Sequence, residues 1–310
     1  MPNWIGGYEQ LTEMKTVGSG SARWCIAQRY GQRFFVKEFL SPVYPQGEER
    51  AVWAEARRER CERFAQQKQR LYAAASCVIG DTLVPVVDFF CQDGRYYAIS
   101  KEVPQPYISG ESIGRLPFPV AQEALHSLAQ CLQRLHTQGI VHADLKPEHL
   151  FFIPHGAGYS LRLIDLDSGF LESDPPQEAG TIEGDPVYIA PEAFLCLAGE
   201  AVPLTHKVDT FALGILFHQL WTGVLPSFNA DKCTYFYEAA LMGEDIRLSP
   251  GFPEIYRAFL RRMLHRDPAQ RPSDSEVVRL FASALRQQSF SIRDRKNQMP
   301  LNGLSRFMKK

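Results

Sequence analysis

A chain of 310 residues, 45% of them hydrophobic, is long and apolar enough to build one large or two medium domains around a proper core. Its formal net charge of −1 carries no global bias toward nucleic acid or an anionic membrane surface. Seven cysteines (Cys25, Cys61, Cys77, Cys91, Cys131, Cys196, Cys233), odd in number and without a CxxC pair, argue against a disulfide framework or a cysteine zinc site and for a reducing, cytoplasmic compartment. The first ten residues lack a basic segment followed by an apolar run, so no secretory signal is expected. The most apolar stretch, Phe211 to Trp221, is about half the length that spans a bilayer.

From Leu11 to Phe39, short β-branched and aromatic runs are broken by glycine. Thr16 to Gly20, Arg23 to Gln28 and Arg33 to Phe39 predict a strand, a glycine turn and two further strands. A linker, SPVYPQG, follows. Glu48 to Ala75 contains neither proline nor glycine and sets Val52, Ala56, Cys61, Phe64 and Leu71 at helical spacing, which predicts one long helix. TLVPVVDFF and RYYAISKEV, separated by CQDG, predict a hairpin. Pro104, Pro106 and Gly110 then mark a lobe boundary. Helices are predicted over Val120 to Gln138, Pro191 to Leu197, Asp209 to Thr222, Glu254 to His265 and Ser273 to Gln287, with strands HLFFI and SLRLIDL between the first two. The final stretch, Ser289 to Lys310, is basic without a periodic apolar face and reads as a mobile tail or docking arm.

Two stretches carry the first chemical signals. In VGSGSARW, a strand running into Gly18, Ser19 and Gly20 lets backbone N–H groups approach phosphate oxygens, because glycine has no Cβ in the way; a tight hairpin turn explains the same residues. In FFVKEF, a lysine sits inside an apolar strand, where an unpaired charge is costly, so Lys37 needs an anion. A phosphate under the glycine turn or a glutamate from the long helix would serve. Glu55, Glu59 and Glu62 share one face of that helix.

These elements, followed in order by HADLKPEH, IDLDSG, GDPVYIAPE, Asp209 of KVDTFALG and Arg271 of DPAQRP, resemble the Ser/Thr protein kinases, in overall appearance their bacterial branch, from about Val17 to Arg271. The resemblance implies an α+β, bilobal fold. Residues 1–103 form a small antiparallel β N-lobe with one long helix that binds nucleotide, residues 104–288 a larger, mainly helical C-lobe with the catalytic loop and activation segment, and residues 289–310 the basic tail. It further implies that Asp144 orients a substrate hydroxyl and takes its proton, that Lys146 and Lys37 neutralise phosphate charge, and that Asp165 holds a metal ion. Glu62, with Glu59 second, becomes the expected partner of Lys37. Ser100 becomes a small gatekeeper, and the backbone groups of Glu102 and Val103 meet adenine. Glu192 with Arg271, and Asp209, take structural roles. ATP with Mg²⁺ or Mn²⁺ is the expected cofactor set. The expected partners are an unidentified protein substrate and a regulatory protein, with no nucleic acid and no membrane span.

Several positions depart from the family pattern. Arg23 stands at the third glycine. Ala143 replaces the arginine before the catalytic aspartate, removing the cation that a phosphorylated activation segment would bind, so the acidic segment from Asp165 to Glu192 (Glu172, Asp174, Glu178, Glu183, Asp185) is expected to hold its position without phosphate on Thr181. Asp185 stands at a usual threonine, where it either pairs with Lys146 or makes a surface turn. Asp167 replaces the glycine of the metal motif and adds a second carboxylate near the metal. His149 replaces a metal-binding asparagine, and imidazole suits Mn²⁺ and softer ions better than Mg²⁺. The expected metal set is therefore Asp165, His149 and Asp167. Lys37, Asp144, Lys146 and Asp165 are all retained, which favours an active Ser/Thr protein kinase over a nucleotide-binding pseudokinase scaffold or an enzyme transferring a nucleotidyl group from ATP.

Overall fold

The computed structural model describes residues 3–16, 21–46, 51–156, 158–176 and 184–297. Its first half is an antiparallel sheet built from β1 (Trp4–Ile5), β2 (Tyr8–Gln10), β3 (Lys15–Thr16), β4 (Ala22–Arg29), β5 (Gln32–Phe39), β6 (Val86–Gln92) and β7 (Arg95–Lys101). The order is β1-β2-β4-β5-β7-β6, with β3 paired to β4. Two hairpins set the register through turns in which both central residues have positive φ, Tyr30 and Gly31 (53° and 75°) and Asp93 and Gly94 (51° and 75°). That backbone twist matches the strands it joins.

Alternation along β5 gives the sheet two working faces. Phe34 and Val36 point to a small core with Cys25, Ala27, Tyr97 and Ile99, covered by Ile5 and Tyr8 of the β1–β2 hairpin. The sequence reading did not foresee this hairpin. Its strands are two and three residues long, too short to show a period. Phe39 lies on the opposite face, together with Lys37, and packs with Phe64 of helix α1 (Ala51–Ser76) at 5.2 Å between ring centroids. Phe89 and Tyr96 complete this aromatic layer, their rings stacked at 5.8 Å.

The second half is largely helical: α2 (Phe118–Thr137), α3 (Pro191–Leu197), α4 (Lys207–Thr222), α5 (Phe236–Met242), α6 (Glu254–Met263) and α7 (Asp274–Asn297). Short strands β8 (Ile108–Ser109), β9 (Ile140–Val141), β10 (Leu150–His155), β11 (Gly158–Leu163) and β12 (Phe170–Leu171) carry the polar loops between α2 and α3. Helix α4 is buried almost all round, with Phe211, Ile215, Leu216 and Phe217 at the centre of the large core. Among the described residues no helix is long and apolar enough to cross a membrane. Helix α5 was not foreseen, because its seven residues span barely two turns. Helix α7 runs to Asn297, past the expected end at Gln287, since no glycine or proline interrupts the chain before Pro300. Residues 298–310 of the expected tail lie outside the described residues.

Two devices position the loops. Leu163 bridges the halves, its N–H donating to Thr82 O at 2.7 Å and its carbonyl accepting from Val84 N at 2.8 Å. Gly110 lets the chain after the boundary touch the catalytic loop, since a Cβ there would meet Pro147 O at 1.9 Å. The helices are tied by Glu192 and Arg271. The guanidinium donates to both carboxylate oxygens at 2.6 and 2.8 Å, with side chains 6% and 0% exposed, and also donates to the carbonyls of Lys207 and His265. Removing one member of such a pair leaves a buried charge uncompensated. Arg271→Met should therefore lower the unfolding free energy by about 3–5 kcal/mol in urea titration, and adding Glu192→Gln to it should restore part of that loss.

Candidate active site

Lys37 enters from β5, on the face it shares with Ala98, its cross-strand partner, and with Ser100. Its Nζ lies 2.9 Å from Asp165 Oδ2, 3.1 Å from Asp165 Oδ1 and 2.5 Å from Asp167 Oδ2. Burial works against the ammonium, but Asp167 and Asp165 outweigh it and hold the lysine pKa well above its usual value. Burial also pushes Asp165 upward, and the Lys37 ammonium more than offsets this, so the carboxyl is held far below the normal range.

This pairing corrects the expectation for the helix glutamates. Glu62, Glu59 and Glu55 of α1 are all exposed. The inward stripe of the helix is instead Cys61, Phe64, Lys68 and Tyr72, and Tyr72 donates from its hydroxyl to Asp167 Oδ1 at 2.7 Å while Lys68 Nζ donates to Asp167 O. Burial, followed by the neighbouring Asp167, raises the Tyr72 pKa and keeps the phenol protonated as a donor. The helix thus reaches Lys37 through Tyr72 and the third residue of the metal motif. Periodicity could have found Tyr72, which lies four residues after Lys68 and eight after Phe64 on one face, but a tyrosine there also reads as plain core.

The catalytic loop lies opposite. Ala143 and Asp165 both adopt φ of 64°, a left-handed conformation that side chains other than glycine and asparagine seldom accept. The buried carboxylate of Asp209 secures the first, its oxygens accepting from His142 N and Ala143 N, each at 2.8 Å. Burial lowers the His142 pKa, and the neutral ring donates from Nε2 to Ile164 O at 3.2 Å. Asp144 receives Lys146 Nζ on Oδ2 at 2.8 Å and Asp185 N on Oδ1 at 3.1 Å. Asp185 does not pair with Lys146. Its carboxylate accepts from Val187 N at 2.9 Å in a local turn, the shorter reach for a side chain with one methylene.

His149 joins the two groups of acids. Its Nδ1 donates to Asp144 O at 2.8 Å, an oxygen that can only accept, and its Nε2 lies 3.4 Å from Asp165 Oδ2. In the neutral ring Nε2 therefore presents a lone pair beside a carboxylate, a donor set that fits a divalent cation. Asp167 has its two oxygens against Lys37 and Tyr72, so it braces the lysine where the sequence reading expected a metal ligand.

Trp24 and Phe35 share the Lys37 face, opposite Lys37 and Ser100 in the register, and their rings stack at 5.4 Å. At the end of β7, Glu102 N donates to Arg33 O at 3.3 Å. Gly18, Ser19 and Gly20 lie outside the described residues, as do Glu178, Thr181 and Glu183.

A family model of the protein kinase domain matches residues 12–281, so the chain belongs to the protein kinase family. It is 30% identical over 227 residues to serine/threonine-protein kinase Pkn1 of Myxococcus xanthus, covering 70% of this chain and 31% of that protein. It is 26% identical over 206 residues to PknH of Mycobacterium tuberculosis, covering 64% of this chain and 32% of that protein. The chain thus spans about a third of these curated relatives. The solved kinase domain of Mycobacterium tuberculosis PknI has the same fold, with a TM-score of 0.62 at 20% identity, covering 93% of this chain and 98% of that one.

Because Lys37 is held by Asp167, Asp167→Gly should lower kcat of phosphoryl transfer by about tenfold or more, in line with the cost of removing an outer partner, while Glu62→Ala should leave steady-state kinetics unchanged. A large loss in Glu62→Ala would overturn this assignment.

Proposed function

We propose that this chain is an ATP-dependent serine/threonine protein kinase. The observation that carries the reading is one unbroken run of polar contacts across the cleft: Lys37 to Asp165 at 2.9 Å, Asp165 to His149 at 3.4 Å, His149 to Asp144 at 3.7 Å and Asp144 to Lys146 at 2.8 Å. Placing Asp144, Asp165 and Asp167 with Lys37 and Lys146 in a partly buried crevice has a high desolvation cost, and a purely structural role explains little of it. The serine/threonine kinase names of the curated relatives support the same class.

In this reading Asp144 accepts the proton of the substrate hydroxyl. Its second oxygen, held by Asp185 N, fixes the carboxylate orientation. Lys146 neutralises charge on the phosphoryl group and Lys37 on the other phosphates. Asp165 and His149 would hold the divalent cation, which supplies charge neutralisation when bound. Trp24 and Phe35 offer aromatic faces to the adenine base. An imidazole nitrogen in place of an amide oxygen shifts the preference of the site from Mg²⁺ toward Mn²⁺.

Intact-mass analysis of purified protein with ATP and Mn²⁺ should show added phosphoryl groups, and Asp144→Ala should slow the addition by about 10²–10⁴-fold. Adenylyl adducts, or ATP binding without any adduct, would overturn the reading. For the metal, calorimetric titration of the ATP complex should give tighter binding of Mn²⁺ than of Mg²⁺, and His149→Asn should narrow the difference. Equal affinities in the wild type would refute the role of His149.

A further inference from the structure

Away from the cleft, four separate parts of the chain bring imidazoles and carboxylates together. His136 lies in the last turn of α2, His206 immediately precedes α4, Asp274 opens α7, and Glu172 follows β12. One ligand atom from each of His136, His206 and Asp274 lies within 4.8 Å of the other two, and the two imidazole centroids are also 4.8 Å apart.

We propose that His136, His206 and Asp274 form a transition-metal site, suited to zinc or a similarly borderline divalent ion, that clamps the base of the catalytic half of the molecule.

The orientation of the rings carries the proposal. Each histidine has a carboxylate on the nitrogen turned away from the cluster: Asp209 Oδ2 lies 3.0 Å from His136 Nε2, and Glu172 Oε1 lies 2.7 Å from His206 Nδ1. Carboxylates accept, so both of those nitrogens carry a proton, which leaves His206 Nε2 and, once the proton it shares with Asp274 is released, His136 Nδ1 as the ligand atoms. Histidines that bind metal are oriented in this manner, with the outer carboxylate setting the tautomer and raising the basicity of the inner nitrogen. Asp274 Oδ2 already lies 2.9 Å from His136 Nδ1. Two imidazoles and one carboxylate are the borderline donors that zinc accepts in a tetrahedron, with the fourth place left for water.

A simple ion pair explains only part of the arrangement. An imidazolium at His136 between Asp209 and Asp274 is satisfied by those two acids. It gives no reason for a second imidazole beside the first, fixed by its own carboxylate. Access is also suitable: the side chain of His136 is 3% exposed, but Asp274 and His206 are 21% and 28% exposed, so a hydrated ion can enter from their side.

Coordination replaces the proton that His136 Nδ1 shares with Asp274, and this proton leaves to solvent. His206 faces the same point from the turn before α4. Asp209, behind His136, is also the residue that holds His142 N and Ala143 N, so a bound ion would stiffen the support of the catalytic loop without entering the cleft.

The test is equilibrium dialysis of the chelator-treated 310-residue chain against Zn²⁺ without ATP, with elemental analysis and Co²⁺ absorption as the optical counterpart. One equivalent is expected in the wild type and equally in Asp165→Asn, with Co²⁺ bands that lack thiolate charge transfer. His206→Gln, at a half-exposed position that should not impair folding, should bind at least about tenfold more weakly, and Glu172→Gln should weaken binding by about 10–100-fold. Zinc should raise the wild-type melting temperature and leave that of His206→Gln unmoved. The proposal fails if the wild type retains no zinc, if His206→Gln retains it as tightly, or if Asp165→Asn loses it.

Discussion

A lysine in the middle of an apolar strand is the constraint on which the rest of the active region depends. Lys37 cannot sit on the inner face of β5 without an anion, because an uncompensated ammonium there would cost more than the strand gains by burial. Two aspartates from the other half of the chain meet that need, and in doing so they define where the halves face each other. The loop bearing them is held in turn by Tyr72 from α1 and by His149 from the catalytic loop. One buried charge thereby joins the sheet, the long helix and the catalytic loop.

The identity of the lysine's partner changes what the long helix does. With an exposed Glu62 and an inward Tyr72, α1 reaches Lys37 through Asp167. A neutral phenol faces inward where a helix glutamate was expected, and the negative charge beside Lys37 comes from the metal motif. The same substitution that looked like an extra metal ligand in the sequence therefore supplies the missing carboxylate for the lysine. Charge is conserved around Lys37 although its source has moved from one element to another.

Below the cleft, support comes from buried polar groups whose partners are fully specified. Asp209 holds two backbone N–H groups at a residue with positive φ, and His136 holds Asp209 from behind. Arg271 and Glu192 tie the helices a short distance away. Buried groups of this kind contribute less to net stability than their number suggests, but each broken partnership leaves a charge stranded, so they hold the loop in one arrangement. The His136, His206 and Asp274 cluster lies within this support layer and extends it to α7.

Much of the architecture was legible in the sequence, since periods of two and 3.6 and turn residues such as Asp93-Gly94 are local properties. Pro191–Leu197 was read to the residue, and β4, β5, β6, β7 and most helices were read to within a few residues. The β1–β2 hairpin and α5 were missed because two or three residues, or two turns, carry no measurable period. The residue types of the cleft, Lys37, Asp144, Lys146, His149 and Asp165, were legible because their motifs are contiguous. What only the tertiary structure decided was pairing across distance: which acid meets Lys37, where Asp185 turns, and which histidines meet at the foot of α2. Helical spacing puts Glu59, Glu62, Lys68 and Tyr72 on candidate faces, but the face that turns inward is set by how Cys61 and Phe64 pack against Phe39, Phe89 and Tyr96, and packing is a property of the assembled chain.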